Sequence, residues 1–337
     1  MARKADHHEK RQAANKTNTD NGDELNESHR SEVESPPAVS LNQLFEAASG
    51  ALSEGSSDEL KNDFKDLIMR HLRESLAGDA SLIKHNFLIH FDEGQLVPSD
   101  ADKVYSAVRG FKEKKPLLML LYSTGGVVNP AYLIGKVCRK YSNDKFIVVV
   151  PRLAKSAATL ICCAADEIHM GDLSELGPID PQIKNFPALG LKNAVEHLAG
   201  LTEKYPGAAP MIADYLSRTM KNPIDLGYYE RVAESAVQYG VRLLKLHQDN
   251  LGGRDPESIA NKLVYEYKDH GFVIDSEEAA GVFGSGMIKI GSPIYDFGSR
   301  AYSLLTRVQF LCDLFNHNFY LIGSLDSKPE IYERRNG

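Results

Sequence analysis

Apolar residues follow two rhythms along this chain. Leu60, Phe64, Leu67, Ile68, His71 and Leu72 recur at steps of three and four, which places them on one helical face opposite a charged one. With LNQLFEAASG before it, this spacing predicts helices from Leu41 to about Ala77, with Asp58 as an N-cap and Gly78 as the stop. Further on the apolar positions bunch. Leu82–Phe91, Leu117–Tyr122 (LLMLLY), Phe146–Val150 (FIVVV) and Glu167–Met170 read as strands. The middle two are uniformly apolar, as parallel strands buried on both faces are. Between them Ser99–Phe111, Asn129–Tyr141 and Ser156–Ala165 read as helices, the first with Ser99 as N-cap and Asp100 and Asp102 in its first turn. Strand and helix alternating at this pace predict right-handed βαβ units, hence an α/β fold around a parallel sheet.

Past Pro181 the rhythm weakens. Residues 185–226 hold several prolines and glycines without clear periodicity, and are expected to form a mobile or substrate-covering segment. Tyr228–Gln248 is a long amphipathic helix and Asp255–Tyr267 a further one. From Pro293 the chain is rich in aromatics; a helical C-terminal extension is expected there, docked on the body or on a neighbouring subunit. Residues 1–40 contain no aromatic residue and are dense in charge. Such a stretch cannot bury enough apolar area to offset the ordering of its backbone, at about 1–2 kcal/mol per residue, so a disordered tail is expected. The resulting division is 1–40 tail, 41–78 helical extension, 79–292 catalytic domain and 293–337 C-terminal extension.

Composition narrows the class. The chain has 337 residues, 42% of them hydrophobic, enough for a sizeable core. Lys plus Arg number 39 against 46 Asp plus Glu, a net charge of −7 that argues against a general nucleic-acid surface. Every clean apolar stretch is strand-sized and far short of the roughly 20 residues of a membrane-spanning helix. The charged N-terminus lacks the apolar core of a secretion signal, so a soluble, cytoplasmic protein without a transmembrane segment is expected. Cys138, Cys162, Cys163 and Cys312 form no CxxC pair and no metal-like spacing with His, the pattern of small apolar residues in a reduced compartment. No metal or organic cofactor is expected.

The P-loop, GxGxxG, HExxH and GxSxG patterns are absent. Two loops carry the candidate chemistry, each directly after a buried strand, where open α/β sheets place their ligands. The first is Ser123-Thr124-Gly125-Gly126. Adjacent glycines admit backbone angles closed to other residues and let a ligand approach peptide N–H groups, although a Gly-Gly pair is commonly just a turn. The second is Pro151–Ala158 (PRLAKSAA), which puts Ser156 at a helix N-terminus with its unpaired N–H groups. A serine there can be a plain N-cap. Together, however, the loops offer a nucleophile and two donors for the oxyanion of a tetrahedral intermediate.

The order STGG, about thirty residues, PRLAKSAATLICCAADEIHMG and then SELGPIDPQ resembles the ClpP/crotonase superfamily, and within it the SppA-like branch called serine dehydrogenase proteinase, related to signal-peptide peptidases. The resemblance covers roughly Phe87–Gln182, with a weaker echo at His270–Ala279. It implies repeated ββα units, ring or trimer assembly, Ser156 as nucleophile and an oxyanion hole lined by Gly125, Gly126 and Ala157. A soluble serine peptidase acting on peptide or protein substrates follows from it, as a homo-oligomer without nucleic acid. ClpP-type enzymes carry a histidine where this chain has Asp180, while His270 falls near their aspartate. One reading is therefore a permuted triad, with His270 as base and Asp180 orienting it; the other is a Ser–Lys dyad using Lys184 or Lys192. Lys155, next to the serine, is expected to point away. Plainer roles stand beside these: an Asx turn for Asp180, a helix-end cation for His270 and a structural part for His169. Two other functions fit the same frame: crotonase-type acyl-thioester chemistry, which needs no serine, and a catalytically inactive oligomeric scaffold.

Overall fold

The structure, a computed structural model, describes residues 39–183, 186–187, 190–219 and 224–334. The expected tail lies outside these residues except for its last two. Val39 is buried and its N–H donates to Glu74 Oε2 (3.1 Å), while Ser40 caps the first helix. That helix, α1 (Leu41–Ala51), pairs with α2 (Asp58–Leu76), whose N-cap is Ser57 and not Asp58; Asp58 and Glu59 fill its first turn, where the helix dipole favours negative charge. The stretch expected as one strand from Leu82 divides into a short helix α3 (Ala80–Lys84), capped by Asp79, and strand β1 (Asn86–Asp92).

The alternation then runs as the apolar pattern predicts: α4 (Pro98–Gly110), β2 (Leu117–Ser123), α5 (Val128–Tyr141), β3 (Phe146–Val149), β4 (Leu153–Ala154), α6 (Ala157–Cys162), β5 (Glu167–Met170) and β6 (Glu175–Leu176), the short strands β4 and β6 being additions that the pattern does not foresee. Helix α4 starts one residue before Ser99, with Pro98 at its first position and the Asp100 carboxylate accepting from Val97 N–H (2.8 Å). A hairpin of β7 (Gln182–Ile183) and β8 (Phe186–Pro187) leads to α7 (Gly190–Lys204), α8 (Ala209–Thr219), α9 (Ile224–Leu244), α10 (Pro256–Asn261), α11 (Ser276–Phe283), β9 (Ile288–Ile290), α12 (Pro293–Leu314), β10 (His317–Ser324) and β11 (Glu330–Glu333). Within the stretch expected to be aperiodic, α7 and α8 are therefore regular helices. Pro206 and Pro210 sit at helix starts, where the missing N–H costs nothing. Helix α10 runs on through a π-turn to Glu266.

The main sheet has the order β11-β10-β1-β2-β3-β5-β9, with β1, β2, β3, β5 and β9 parallel and the last two strands antiparallel. Residues 293–334 are thus no peripheral addition: α12 covers one face of the sheet, and β10 pairs directly with β1, His90 opposite Ile322. The uniformly apolar strands serve two cores at once. Leu117, Met119 and Leu121 point into a core shared with α4, α5, α6 and α9, while Leu118, Leu120 and Tyr122 point into one shared with α1, α2 and α12. Burying each such leucine stabilises by about 1.5–3 kcal/mol. Truncating Leu120, which is fully buried, should cost about 2–5 kcal/mol. Among the described residues, no helix is long and apolar enough to cross a membrane.

Candidate active site

The parallel strands bring the two loops side by side. Ser123, the last residue of β2, pairs with Ala154 of β4, and its carbonyl accepts from Lys155 N–H (3.0 Å). The glycines that follow take φ values of +96° (Gly125) and +150° (Gly126). Gly125 is pressed against the serine loop: a Cβ there would lie 2.6 Å from Lys155 O, 2.8 Å from Ser156 Cβ and 3.2 Å from Ala157 N. Gly126 is pressed against Leu96, whose backbone N a Cβ would approach to 2.4 Å. Leu96 holds the loop from that side, donating to Gly125 O (2.8 Å) and accepting from Val127 N–H (2.9 Å).

Ser156 stands at the N-cap position of α6 without acting as a side-chain cap. Its side chain makes no capping hydrogen bond, and its backbone sits at φ 51°, ψ −117°. That conformation is costly for a residue with a Cβ, on the order of 1–3 kcal/mol, and such residues cluster at functional sites. The surroundings hold it in place. Ala158 N–H donates to Lys155 O (2.9 Å) and Leu160 N–H to Ser156 O (3.3 Å), while the small side chains of α6 are buried without exception. Thr159 Oγ1 anchors that helix, lying 2.7 Å from Ala154 O and 2.8 Å from Gly177 O and accepting from Gly177 N–H (3.1 Å). Gly125 N–H is occupied by Ser123 Oγ (3.2 Å). The N–H groups of Gly126 and of Ala157, the first residue of α6, donate to no acceptor among the described residues.

Asp180 and His270 meet by register. Leu176 and Ile274 exchange both backbone hydrogen bonds (2.8 and 3.1 Å) as an antiparallel pair. Four residues forward from Leu176 is Asp180, and four back from Ile274 is His270. His270 Nδ1 lies 3.9 Å from Asp180 Oδ2, close enough for electrostatic attraction and beyond a hydrogen bond. The other oxygen, Oδ1, and His270 Nδ1 are buried with no hydrogen-bond partner among the described residues. Asp180 forms no Asx turn; its Oδ2 accepts instead from the Gln182 side-chain amide (2.9 Å). Burial pushes the Asp180 carboxyl above its ordinary range, partly offset by His270 and Gln182. His270 stands in a turn past the end of the π-turn, not at a helix terminus.

Lys155 does point away from the serine: its ammonium lies 2.7 Å from Glu175 Oε2, 3.3 Å from Leu176 O and 3.2 Å from Phe272 O. Its part in the site was not legible from sequence, because Glu175 and Phe272 become its neighbours only through the fold. Leu96 was missed for the same reason. His169 is structural, with Nδ1 2.6 Å from Ser292 Oγ and Nε2 3.3 Å from Glu167 Oε2. Lys184 lies outside the described residues, as does the side chain of Lys192, whose backbone belongs to α7.

Known proteins resemble parts of this chain. Residues 95–221 match the family model of the ClpP-like SDH-type serine proteinases. Two uncharacterized proteins of Methanocaldococcus jannaschii are similar: MJ0137, 36% identical over 29% of this chain, and MJ1495, 26% identical over 49% of it. The chain spans 34% and 49% of the length of these relatives. Two solved variants of 1510-N, a membrane-bound stomatin-specific protease, one of them in complex with a substrate peptide, align over 66% and 74% of this chain and 84% and 88% of their own. Their identity is 13% in both cases, with TM-scores of 0.39 and 0.38. The matched stretch, residues 95–221, includes Gly125, Gly126, Ser156 and Asp180 and is similar to the ClpP-like SDH-type serine proteinases.

Proposed function

We propose that this chain is a serine peptidase whose nucleophile is Ser156. The observation that carries the reading is the strained Ser156 backbone with Gly125 packed against it, while the N–H groups of the two residues that follow them in the chain, Ala157 and Gly126, stay uncommitted among the described residues. Ser156 Oγ attacks the substrate carbonyl carbon, and its proton passes to a base. The carbonyl oxygen takes up the negative charge and is held by the two amides. Gly125 has a different part from theirs. With its own N–H engaged, it keeps a side chain out of the space beside Ser156.

His270 is the base and Asp180 its orienting partner in this reading. The approach of Nδ1 to Asp180 leaves Nε2 to receive the serine proton, and the partly buried carboxylate would stabilise the imidazolium once formed. Hydrogen bonds of catalytic groups are often long without substrate and tighten when it binds, which fits a separation of 3.9 Å. Residues 79–292 make up the catalytic part, with 293–334 supplying strands to the same sheet. Peptide or protein substrates, a homo-oligomeric state and a cytoplasmic setting belong to the same proposal. The test is hydrolysis of a fluorogenic peptide library across pH by wild type, Ser156→Ala, His270→Ala, Lys184→Ala and Lys192→Ala. Activity should vanish in Ser156→Ala, and the acidic limb of the pH profile should be lost only in His270→Ala. Retained activity in Ser156→Ala would point to crotonase-type chemistry, and loss of the limb in a lysine variant to a Ser–Lys dyad.

A further inference from the structure

Two separate stretches of chain, at 175–176 and at 272, supply three acceptors to one ammonium group. Lys155 directly precedes the nucleophile, yet its side chain runs back beneath the loop to Glu175 Oε2 (2.7 Å), Leu176 O (3.3 Å) and Phe272 O (3.2 Å). An ammonium has three N–H donors and no acceptor, so these three contacts use its full donor capacity. Its side chain is only 17% exposed and that of Glu175 25%, so their attraction is screened less than that of a surface pair. The fold makes room for the stem: a Cβ on Gly177 would lie 2.7 Å from Lys155 Cδ.

The positions of the three acceptors matter more than their number. Leu176 begins the segment that reaches Asp180 four residues later, and Phe272 lies two residues after His270. Pairing of β4 with β6 already ties the serine strand to Leu176. Among the described residues, the turn carrying His270 has no such direct strand contact with the serine loop. Lys155 bridges that gap, from the neighbour of Ser156 to the backbone beside His270.

We propose that Lys155 is a positioning residue that holds the His270 turn in register with Ser156 through its ammonium; this rests on the peptidase reading above. It touches neither substrate nor reacting atoms. Removing the ammonium while keeping the stem should let the His270 turn drift, and a misplacement near 1 Å costs on the order of 10²-fold in rate.

The experiment measures the phosphonylation rate of Ser156 by a fluorophosphonate, with kcat and KM for a peptide, in wild type, Lys155→Met, His270→Ala and the double variant, each checked by thermal unfolding. Lys155→Met should slow phosphonylation and kcat about 10²-fold with KM little changed, and Lys155→Arg should recover part of the loss. In the His270→Ala background the same substitution should cause no further loss, because a residue acting through another adds nothing once that other is gone. A folded Lys155→Met protein labelled at the wild-type rate would overturn the assignment, as would an equal loss in both backgrounds. If Lys155→Met does not fold, Glu175→Gln replaces it, and an unchanged rate there overturns the assignment equally. Absence of any adduct on wild type would instead remove the peptidase reading itself.

Discussion

His270 Nδ1 stands 3.9 Å from Asp180 Oδ2 on two segments joined by the Leu176–Ile274 pair, with Nδ1 and the second carboxylate oxygen left without hydrogen bonds among the described residues. Buried polar atoms are seldom left this way, because each costs about 1–3 kcal/mol. On the proposed reading, Asp180 serves the site at the expense of the fold.

That trade can be measured in Asp180→Asn. The carboxyl is raised above its ordinary range in the folded protein, chiefly by burial. Its stabilising contribution is therefore complete at pH below the unfolded value and is lost as pH rises through the folded one. At neutral pH, Asp180→Asn should unfold at an equal or higher temperature than wild type. That advantage should shrink toward the lowest pH at which both stay folded. Activity should fall by as much as about 10⁴-fold, because an amide can neither orient the imidazole correctly nor stabilise its charged form. Thermal unfolding at several pH values and kcat on the same samples check both halves.

Ser156 makes a second trade, in its backbone. At φ 51° a Cβ is strained, and glycine is not. Both Ser156→Ala and Ser156→Gly should be inactive, but Ser156→Gly should be the more stable by about 1 kcal/mol, although glycine is normally the destabilising choice. Urea denaturation of the pair reads this directly.

Gly125→Ala and Gly126→Ala should fail for separable reasons. The first thrusts a methyl group toward Lys155 O and Ser156 Cβ, the second toward the backbone of Leu96, and each residue has positive φ. Each should cost on the order of 1–3 kcal/mol of stability. Loss of activity in Gly125→Ala should exceed its loss of stability, since the methyl group occupies the space beside Ser156, the proposed nucleophile.

Much of the frame was legible because LLMLLY and FIVVV can be satisfied only by two cores at once, and that requires helices on both faces of the sheet. The closing strands were not. HNFYLIGS becomes a strand of the main sheet only by pairing with β1, more than two hundred residues earlier, and no local pattern announces that partner. Ser156 was legible as a residue at a helix start, while its positive φ is visible only in the fold, where Gly125 packs against it. Asp180 and His270 could be named from the resemblance; their meeting depends on the Leu176–Ile274 register.

The four cysteines should be silent toward thiol reagents in the native protein. All are buried; burial pushes Cys163 and Cys312 up to about 12, and Cys138 and Cys162 also upward. Since the thiolate is the reactive form, alkylation at pH 8 should be slow until denaturant is added, when all four should react. Mass spectrometry before and after denaturation counts them.

The central claim, that Ser156 is an activated nucleophile facing two backbone donors, is tested most directly by treating folded protein with a fluorophosphonate and locating the adduct by peptide mass spectrometry. The account predicts a single stoichiometric adduct on Ser156, absent from Ser156→Ala and from heat-unfolded protein. A folded, unmodified Ser156, or an adduct on any other serine, would contradict it.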